Sequence, residues 1–292
     1  MESLEEAVAP IEDGATVFVG GFIINANPWA LALELVRQEK RDLTAVGYGM
    51  MSIDVLVGAG CVDTLWGSVN TFEPKFGRPP SIRRRIEAGD LDNIRESGNA
   101  TVTRLTAGAY GIPSMATRAL LGSDMLADLE ARGLAERTTD PFSGEDVVLL
   151  EAVQPDYALI HAPRSDPQGN VQFFGPGAFT DEAVLAADAV IASVDEVVSQ
   201  EEIRRTPEDT MVPSHKVQAL VEAPFGAFPT SVYRYYDHDE PHIGEYADRA
   251  ATEEGFQSYL EEYVLGMDHV DFLDRIGLER LMDRRADPYF GY

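Results

Sequence analysis

A double glycine directly follows an apolar segment near the start of the chain. We predict a strand over Thr16–Val19 that ends at Gly20 and Gly21, where a backbone can turn sharply and approach a ligand closely. Asn27 before Pro28 predicts a helix cap and a first helical residue. A strand, a glycine turn and a helix N-terminus could bind an anionic or carbonyl group. The alternative is an ordinary strand-to-helix turn, since the pair matches neither a dinucleotide fingerprint nor a phosphate-binding loop.

Arginines offer a second kind of chemistry in an otherwise acidic chain. A guanidinium can hold a carboxylate or phosphate through paired hydrogen bonds, and ion pairing with neighbouring acids is the alternative. Arg118 follows a predicted turn, where it could anchor a substrate carboxylate or pair with Asp124. On a helix, consecutive arginines cannot all face one way. The clustered arginines are Arg78, Arg83, Arg84 and Arg85, and the nearby acids are Glu87, Asp90 and Asp92.

The chain shows no recognisable nucleophile or metal site. No serine stands in the glycine-flanked pattern of α/β-hydrolases, and no histidine pair has metalloprotease spacing. The single cysteine, Cys61, lies in an apolar stretch and is predicted as a core residue. Asp237–His242 contains metal-ligand side chains in no familiar spacing, so we predict solvated surface, with metal binding as the alternative. His161 ends a predicted strand, which it could cap, or it could line a pocket.

The charge balance restricts the partners. The 292 residues include 50 acidic and 23 basic side chains, which gives a net charge of −27, and only three of the basic residues are lysines. Such a surface repels nucleic acid and anionic membranes, so neither is expected as a partner. An evenly acidic, lysine-poor surface is typical of a halophilic protein, and a merely acidic mesophilic protein is the alternative. The acidic start of the chain is unlike a signal peptide and no apolar run reaches membrane-spanning length, which predicts a cytoplasmic protein.

Strand-like and helix-like segments alternate along most of the chain. This rhythm predicts an α/β fold with a mainly parallel sheet flanked by helices. Beyond about residue 233 the sequence becomes aromatic, acidic and helical, so we predict a helical C-terminal extension over 233–292 within a single domain spanning 1–292. The predicted strands are Thr16–Val19, Leu43–Val46, Thr64–Trp66, Val147–Leu150, Tyr157–Ile160, Val171–Phe173 and Ala189–Val194; the predicted helices are Pro28–Gln38, Ile53–Gly58, Ser81–Ala88, Thr101–Tyr110 and Asp181–Ala187.

One long segment resembles a known family. Asp156–Val171, which reads DYALIHAPRSDPQGNV, resembles the signature stretch of the alpha subunits of class I (family I) coenzyme A transferases. Val19–Phe22, with Asn25 and Pro28, resembles the N-terminal glycine motif of the same family. Similarity to the glutaconate branch of these alpha subunits runs from about residue 12 to residue 281 and takes in Glu87–Leu91, Ala109–Pro113, Glu201–Arg205, Ala223–Pro229 and Tyr236–Asp239.

The resemblance implies that the active site is formed by two different subunits. In this family an alpha and a beta chain of the NagB/RpiA/CoA-transferase-like fold meet at the active site, and a glutamate of the beta chain attacks an acyl-CoA. Coenzyme A passes by way of an anhydride and a glutamyl-CoA thioester to a second carboxylic acid. This chain would be the alpha subunit of an αβ or α2β2 enzyme (EC 2.8.3.-), with a coenzyme A thioester as substrate, no permanently bound cofactor and no catalytic nucleophile or metal of its own. We predict oxyanion or substrate binding at Gly20, Gly21, Phe22, Asn25, Arg78, Arg85 and Arg118.

Two departures from the family pattern keep other activities open. Glutaconate-type alpha subunits hold the distal carboxylate with serines in the segment that here reads Asn70–Pro80, where Thr71 or Arg78 could replace them. Arg118 also resembles an arginine of the steroid-ring-cleaving CoA hydrolases, but the position of their upstream glutamate is taken here by Gly98, and Glu96 lies about two residues away. A subunit of a hydrolase that cleaves a carbon–carbon bond is therefore the second hypothesis. The third is a non-catalytic acyl-CoA-binding protein of the same fold.

Overall fold

Strands and helices alternate through the first two thirds of the chain, and helices dominate the last part. A computed structural model describes residues 1–68, 72 and 75–287. Its strands are β1 (Thr16–Val19), β2 (Leu43–Gly47), β3 (Val62–Gly67), β4 (Asp92–Arg95), β5 (Ser114–Thr117), β6 (Ala135–Thr139), β7 (Asp146–Glu151), β8 (Tyr157–Ser165), β9 (Val171–Gln172), β10 (Ala189–Val197), β11 (Thr210–Val212) and β12 (Val217–Glu222). Its α-helices are α1 (Leu4–Val8), α2 (Trp29–Arg37), α3 (Met50–Gly58), α4 (Pro80–Ala88), α5 (Gly98–Ala109), α6 (Asp124–Ala131), α7 (Thr180–Ala186), α8 (Gln200–Ile203), α9 (Glu240–Ala250), α10 (Glu253–Tyr263), α11 (His269–Ile276) and α12 (Leu278–Asp283).

The main sheet is mostly parallel, as predicted. Parallel pairing gives the strand order β12-β10-β8-β1-β2-β3-β4. The short strands β9 and β11 pair antiparallel at the carboxyl-terminal end of β8, around Arg164 and Ser165. Crossovers between parallel strands place helices on both faces, which is why central strands such as β1 are apolar on both sides. Val17 and Val19 pack on one core cluster, while Phe18 packs on the other.

Asn27 caps a different helix from the one we predicted. Helix α2 begins at Trp29 after Pro28, and no side chain caps it. The Asn27 side chain instead accepts hydrogen bonds from the backbone N–H groups of Met51 (3.1 Å) and Ser52 (3.3 Å) in the first turn of α3. The amide of Asn27 is buried between two helix starts, and the neighbouring α3 presents its unpaired N–H groups to it. The prediction of an N-cap for α2 is therefore wrong.

A small antiparallel sheet was not predicted. Strands β5, β7 and β6 form it, in that order, beside helix α5. The predicted strand Val147–Leu150 belongs to β7 of this small sheet. The strands β5 and β6 are short and partly exposed, so their sequences lack the apolar run that marks a buried strand. Edge strand β4 escaped the prediction for the same reason, since Asp92 and Arg95 are exposed.

The C-terminal helices pack aromatic residues against the α2–α3 face, and the predicted helical extension is present. The Tyr246 ring meets Trp29 edge to face at 5.8 Å between ring centroids, and its hydroxyl donates to the Asp54 carboxylate at 2.7 Å. Burial raises the pKa of Asp54 to about 6, against the hydrogen bonds that it accepts from the Ile82 N–H and from Tyr246. Within the described ranges, no helix is both long and apolar enough to span a bilayer.

Two residues of the Asp237–His242 segment, Asp239 and His242, are built into this C-terminal block, whereas Asp237, Glu240 and Pro241 are exposed as predicted. The carboxylate of Asp239 is buried and accepts two hydrogen bonds from Arg280, at 2.7 and 2.6 Å. Burial alone would raise the pKa of Asp239, but Arg280 brings it below its usual value. The His242 ring lies 2.9 Å from the Tyr259 hydroxyl, and burial lowers its pKa to about 4. Over the described residues, no three metal-ligating side chains are grouped to hold an ion, and the buried members of this segment belong to the core rather than to solvated surface.

Candidate active site

The candidate site lies where parallel strands of the main sheet end. Val19 pairs with Gly47 between β1 and β2, and Gly67 pairs with Arg95 between β3 and β4. The carboxyl ends of these strands therefore form one edge of the sheet. Open parallel sheets bind ligands at this edge, because the loops and helix starts that follow the strands converge there.

The glycine turn after β1 is tightly constrained. Gly21 has φ +94°, and a side-chain carbon there would lie 2.7 Å from the carbonyl oxygen of Asn25 and 2.8 Å from that of Ala26. Phe22 and Asn25 exchange backbone hydrogen bonds of 2.8 and 2.9 Å across the turn. The Gly21 N–H donates to no described residue, although Gly21 is buried. A buried, unpaired N–H held in a rigid turn is the kind of donor that stabilises an oxyanion.

A second glycine turn packs directly against the first. A side-chain carbon on Gly47 would lie 2.3 Å from the Val19 carbonyl oxygen, and one on Gly49 would lie 2.1 Å from that of Gly20. The Ile23 N–H, in turn, donates to the Tyr48 carbonyl at 3.0 Å. The turns after β1 and β2 thus form one block, in which backbone meets backbone with no room for a side chain between them.

Aromatic rings and hydroxyls surround these two turns. Phe22 stacks on Tyr48 at 5.6 Å between ring centroids, and Tyr48 meets Phe179 edge to face at 5.1 Å. Gly98, at the start of α5, faces Phe179, Ser68 and the Tyr48 hydroxyl. The Ser68 hydroxyl is buried, and no described residue bonds to it. Sequence reasoning missed Tyr48, Ser68 and Phe179 as site residues, although Gly47–Gly49 repeated the strand-then-glycine pattern of the first turn.

Asn25 joins the glycine turn to two other loops. Its side-chain N–H donates to the Pro176 carbonyl at 2.9 Å, and its side-chain oxygen accepts from the Ser231 hydroxyl at 3.1 Å. Asn25 and Ser231 also line a cavity of about 240 Å³ together with Arg234. The guanidinium carbon of Arg234 lies 5.2 Å from the centre of the Phe174 ring. Asn25 therefore holds the loops that border the turn.

The arginines predicted as ligand contacts lie in different places. Arg118 follows β5 and pairs with Glu145 rather than with Asp124. The preceding Thr117 hydroxyl donates to Asn99 at 3.3 Å, which brings this arginine near the start of α5 and hence toward the sheet edge. Arg78 is exposed and precedes α4, where it lines a separate cleft.

Arg85 is engaged by the protein itself. Its guanidinium lies 2.8 Å from the Asp90 carboxylate and donates to the carbonyls of Val57 (3.0 Å) and Asp90 (2.9 Å). Neighbouring Arg84 pairs with Glu253 at 2.9 Å. These contacts match the ion-pairing alternative for Arg84 and Arg85. Thr71, the other suggested replacement for the serines, lies outside the described residues.

Glu96 is part of a buried ion pair. Its carboxylate accepts from Arg104 at 2.7 Å, and both side chains are shielded from solvent. Arg104 also donates to the Glu151 carbonyl at 2.9 Å and lies over the Trp66 ring at 5.2 Å. One Glu96 oxygen has no hydrogen-bond partner among the described residues. A carboxylate held in this way supports the small sheet, and its side chain is inaccessible to solvent.

His161 and Cys61 are also buried. The His161 ring nitrogens lie 2.9 Å from the Ser193 hydroxyl and 3.1 Å from the Asp195 carboxylate, and the whole side chain is inaccessible. This trio has the residue types of a hydrolase triad, but the His161 and Ser193 side chains are fully buried, and only Asp195 is slightly exposed. Burial raises the pKa of the Cys61 thiol to about 11, which disfavours the reactive thiolate. Neither residue contributes a nucleophile at the sheet edge.

Comparison with known proteins gives a consistent pattern. The family model for coenzyme A transferases matches residues 1–223. The chain is 31% identical to a glutaconate CoA-transferase subunit from Acidaminococcus fermentans, over 99% of this chain and 96% of that protein. The crystal structure of that enzyme matches with a TM-score of 0.94 and 30% identity, and the match covers 100% of this chain and 97% of that one. A 3-oxoadipate CoA-transferase subunit from Pseudomonas knackmussii is 31% identical, over 90% of this chain and 93% of that protein.

Two further relatives differ in length or in activity. A protein of Archaeoglobus fulgidus is 35% identical over 98% of this chain, which spans only 66% of that protein's length. The cholesterol ring-cleaving hydrolase IpdA subunit of Mycobacterium tuberculosis is 30% identical, over 90% of this chain and 92% of that protein. Similarity at this level therefore extends to a hydrolase as well as to transferases.

Proposed function

This chain belongs to the coenzyme A transferase family, in its alpha-subunit branch, and we propose that it works with a beta-type chain that supplies the catalytic glutamate. The observation that carries the proposal is the glycine turn after β1. It offers a buried N–H without a partner among the described residues, at the edge of the sheet where substrates bind. The side chains placed around it above are aromatic, amide or hydroxyl groups and include no carboxylate, which supports a catalytic glutamate supplied by the partner.

The proposed reaction moves coenzyme A between two acids. The partner glutamate attacks the thioester carbonyl, and coenzyme A leaves as the thiolate, which gives a mixed anhydride. The thiolate then attacks the glutamyl carbonyl, which releases the first acid as its carboxylate and leaves glutamyl-CoA. A second carboxylate reverses these steps and leaves as the new acyl-CoA. The Gly21 N–H would stabilise the oxyanion formed on each attack.

The remaining site residues would shape the pocket for the acyl group. Gly20 and Gly21 let the backbone approach the carbonyl, Phe22 and Tyr48 form an apolar wall, and Asn25 fixes the bordering loops. Arg118 would face the substrate only if its Glu145 partner releases it. We propose a short or medium carboxylic or dicarboxylic acid as substrate, since two relatives are named for transfer to glutaconate and 3-oxoadipate. The enzyme would assemble as αβ or α2β2.

The first test is co-purification at high salt with a beta-type chain encoded beside this one. The complex is incubated with acyl-CoA and borohydride, which reduces a glutamyl-CoA thioester and leaves a lasting mass change. We expect that change on the beta chain and only when this chain is present. The matched control replaces the beta-chain glutamate with glutamine.

Two other outcomes would reject the transferase proposal. Free coenzyme A released without an acceptor acid would indicate the hydrolase alternative, which the buried Glu96–Arg104 pair does not favour. Acyl-CoA binding by this chain alone, with no dependence on a partner, would indicate a non-catalytic binding protein.

A further inference from the structure

A cleft rich in arginine runs between α4 and edge strand β4. Its volume is about 370 Å³, and the lining includes Arg78, Arg83 and Arg95. Glu87 is the single acid in that lining, and it lies 3.9 Å from Arg83. No described acid lies within ion-pair distance of Arg78 or Arg95. The cleft therefore carries an excess of positive charge on a chain whose net charge is −27.

This arrangement differs from that of the other arginines on α4. Arg84 and Arg85 lie on the same helix, and each forms a close ion pair, at 2.9 Å with Glu253 and 2.8 Å with Asp90. In a chain with twice as many acids as bases, leaving two arginines without an acid in one cleft favours an external anion. The guanidinium fork suits phosphate, which it binds through paired hydrogen bonds.

An anion in this cleft would be bound by side chains rather than by the backbone of α4. The first N–H groups of α4 are already used, because Ser81 and Ile82 donate to the Asp54 carboxylate at 3.3 and 2.8 Å. The side-chain oxygen of Asn93, in the cleft wall, is buried and has no partner among the described residues. The wall therefore offers two arginines to an anionic ligand. The Asn93 oxygen is a hydrogen-bond acceptor, so it would bond to a donor group rather than to phosphate.

The position of the cleft indicates which kind of anion it binds. Arg95 is the last residue of β4, and Arg78 precedes α4, so both lie at the same edge of the sheet as the glycine turn. Strand β4 is three strands away from β1, which at the spacing of neighbouring strands is roughly 14 Å. The two carboxylates of a short dicarboxylic acid are closer together than that. The phosphates of an acyl-CoA are separated from its thioester by the whole pantetheine arm, which can cover this distance.

We propose that the cleft lined by Arg78 and Arg95 binds the phosphate groups at the nucleotide end of the acyl-CoA. This inference rests on the proposed function, and it assigns Arg78 to the nucleotide rather than to a distal carboxylate. Neither arginine touches the reacting atoms, so their loss should weaken binding and leave the chemical step unchanged.

The test compares Arg95→Gln and the double variant Arg78→Gln/Arg95→Gln with a control, all in the assembled complex. The control, Arg205→Gln, removes the same charge from an exposed ion pair with Glu201. We expect KM for acyl-CoA to rise about tenfold for Arg95→Gln, because charge-assisted hydrogen bonds to phosphate are lost. KM should rise further for the double variant, and kcat should stay unchanged in both. The wild-type preference for the CoA thioester over the dephospho-CoA thioester should shrink in parallel.

A second measurement needs no turnover. Adenosine 3′,5′-bisphosphate binding to the complex is measured by calorimetry at the lowest salt that keeps the complex intact, since salt screens these charges. Binding that disappears in the double variant but not in Arg205→Gln supports the cleft even if no transferase activity is found. Unchanged KM and bisphosphate affinity would overturn it. A rise in KM for the acceptor acid alone, or failure of the complex to assemble, would overturn it too, since these would indicate a carboxylate site or an interface with the partner chain.

Discussion

The glycine turn and the C-terminal aromatic block differ in the polar groups that they bury. Around the turn, the Gly21 N–H and the Ser68 hydroxyl are buried without a partner among the described residues. In the aromatic block the buried carboxylates are satisfied, since Asp239 accepts from Arg280 and Asp54 accepts from Tyr246. The unpartnered buried atoms there are single ring nitrogens of Trp29 and His242 and a few side-chain atoms at its edge. An unsatisfied buried donor costs stability, whereas a satisfied network adds rigidity. We infer that the turn is kept for a ligand and the aromatic block for stability, a distinction that mutations can test.

Gly21→Ala should have the largest effect on activity. A side-chain carbon there would meet two carbonyl oxygens at under 3 Å, at φ +94°, so the turn must open and displace its N–H. We expect transfer by the assembled complex to fall at least about 100-fold, the loss seen when an oxyanion donor is removed. The measurement is the rate of the first half-reaction with acyl-CoA.

The matched control for that change is Gly14→Ala. Gly14 has φ +84° but no atom within 4 Å of the new carbon, so it carries the backbone strain without the collision. It should cost about 1–2 kcal/mol of stability and leave transfer unchanged. Equal activity in the two variants would show that the turn has no catalytic part.

Arg280→Gln should have the largest effect on stability. It leaves the buried Asp239 carboxylate with the backbone N–H of His242 at 2.9 Å and the weaker contact to Arg284 at 3.7 Å. Breaking one partner of a fully buried pair costs about 3 kcal/mol. Arg280 is partly exposed and Asp239 keeps two contacts, so urea unfolding should shift by about 2 kcal/mol. The rate per folded complex should stay at the wild-type value. A loss of rate without a loss of stability would contradict the division between the two regions.

The buried histidines predict the direction of acid instability. Burial lowers the pKa of His269 to about 4, as it does for His242, so the unfolded chain takes up protons first as the pH falls below about 6.5. Between pH 7 and pH 5 each should cost about 2 kcal/mol of stability. Asp54 acts in the opposite direction, because its raised pKa favours the folded state as the pH falls toward 4.

His269→Gln tests this assignment. Glutamine does not titrate and can still donate to the Pro224 carbonyl, which the His269 ring reaches at 2.9 Å. Urea unfolding at pH 7 and pH 5 should show about 2 kcal/mol less loss over this interval in the variant. An identical pH dependence in the two proteins would assign the acid instability to other groups.

Arg85→Gln should have the smallest effect. The Asp90 and backbone contacts of Arg85 account for its guanidinium, so we expect a loss of about 1 kcal/mol in stability and an unchanged half-reaction. A 100-fold slower half-reaction would show that Arg85 takes part in the reaction. That result would contradict the division between a reactive turn and a stabilising block.

The local structure around the candidate site could be predicted from the sequence, whereas the contacts between distant segments could not. Gly20, Gly21 and the strand before them were readable because strand and turn are adjacent in the chain. The cap by Asn27 on α3 was not, since Met51 lies 24 residues away and only the fold brings them together. Tyr48 and Phe179 meet through the order of strands in the sheet, which spacing alone does not give. The main parallel sheet was predictable from its apolar runs, whereas the small sheet lacks them.

The close packing of the two glycine turns has a consequence for engineering new specificity. Gly47 and Gly49 leave no space against the carbonyls of Val19 and Gly20, so any change in one turn demands a compensating change in the other. Libraries that randomise either turn separately should yield mostly inactive clones. Diversity is better placed at Phe22, Tyr48 and Phe179, whose rings can be resized while the shared backbone frame stays intact.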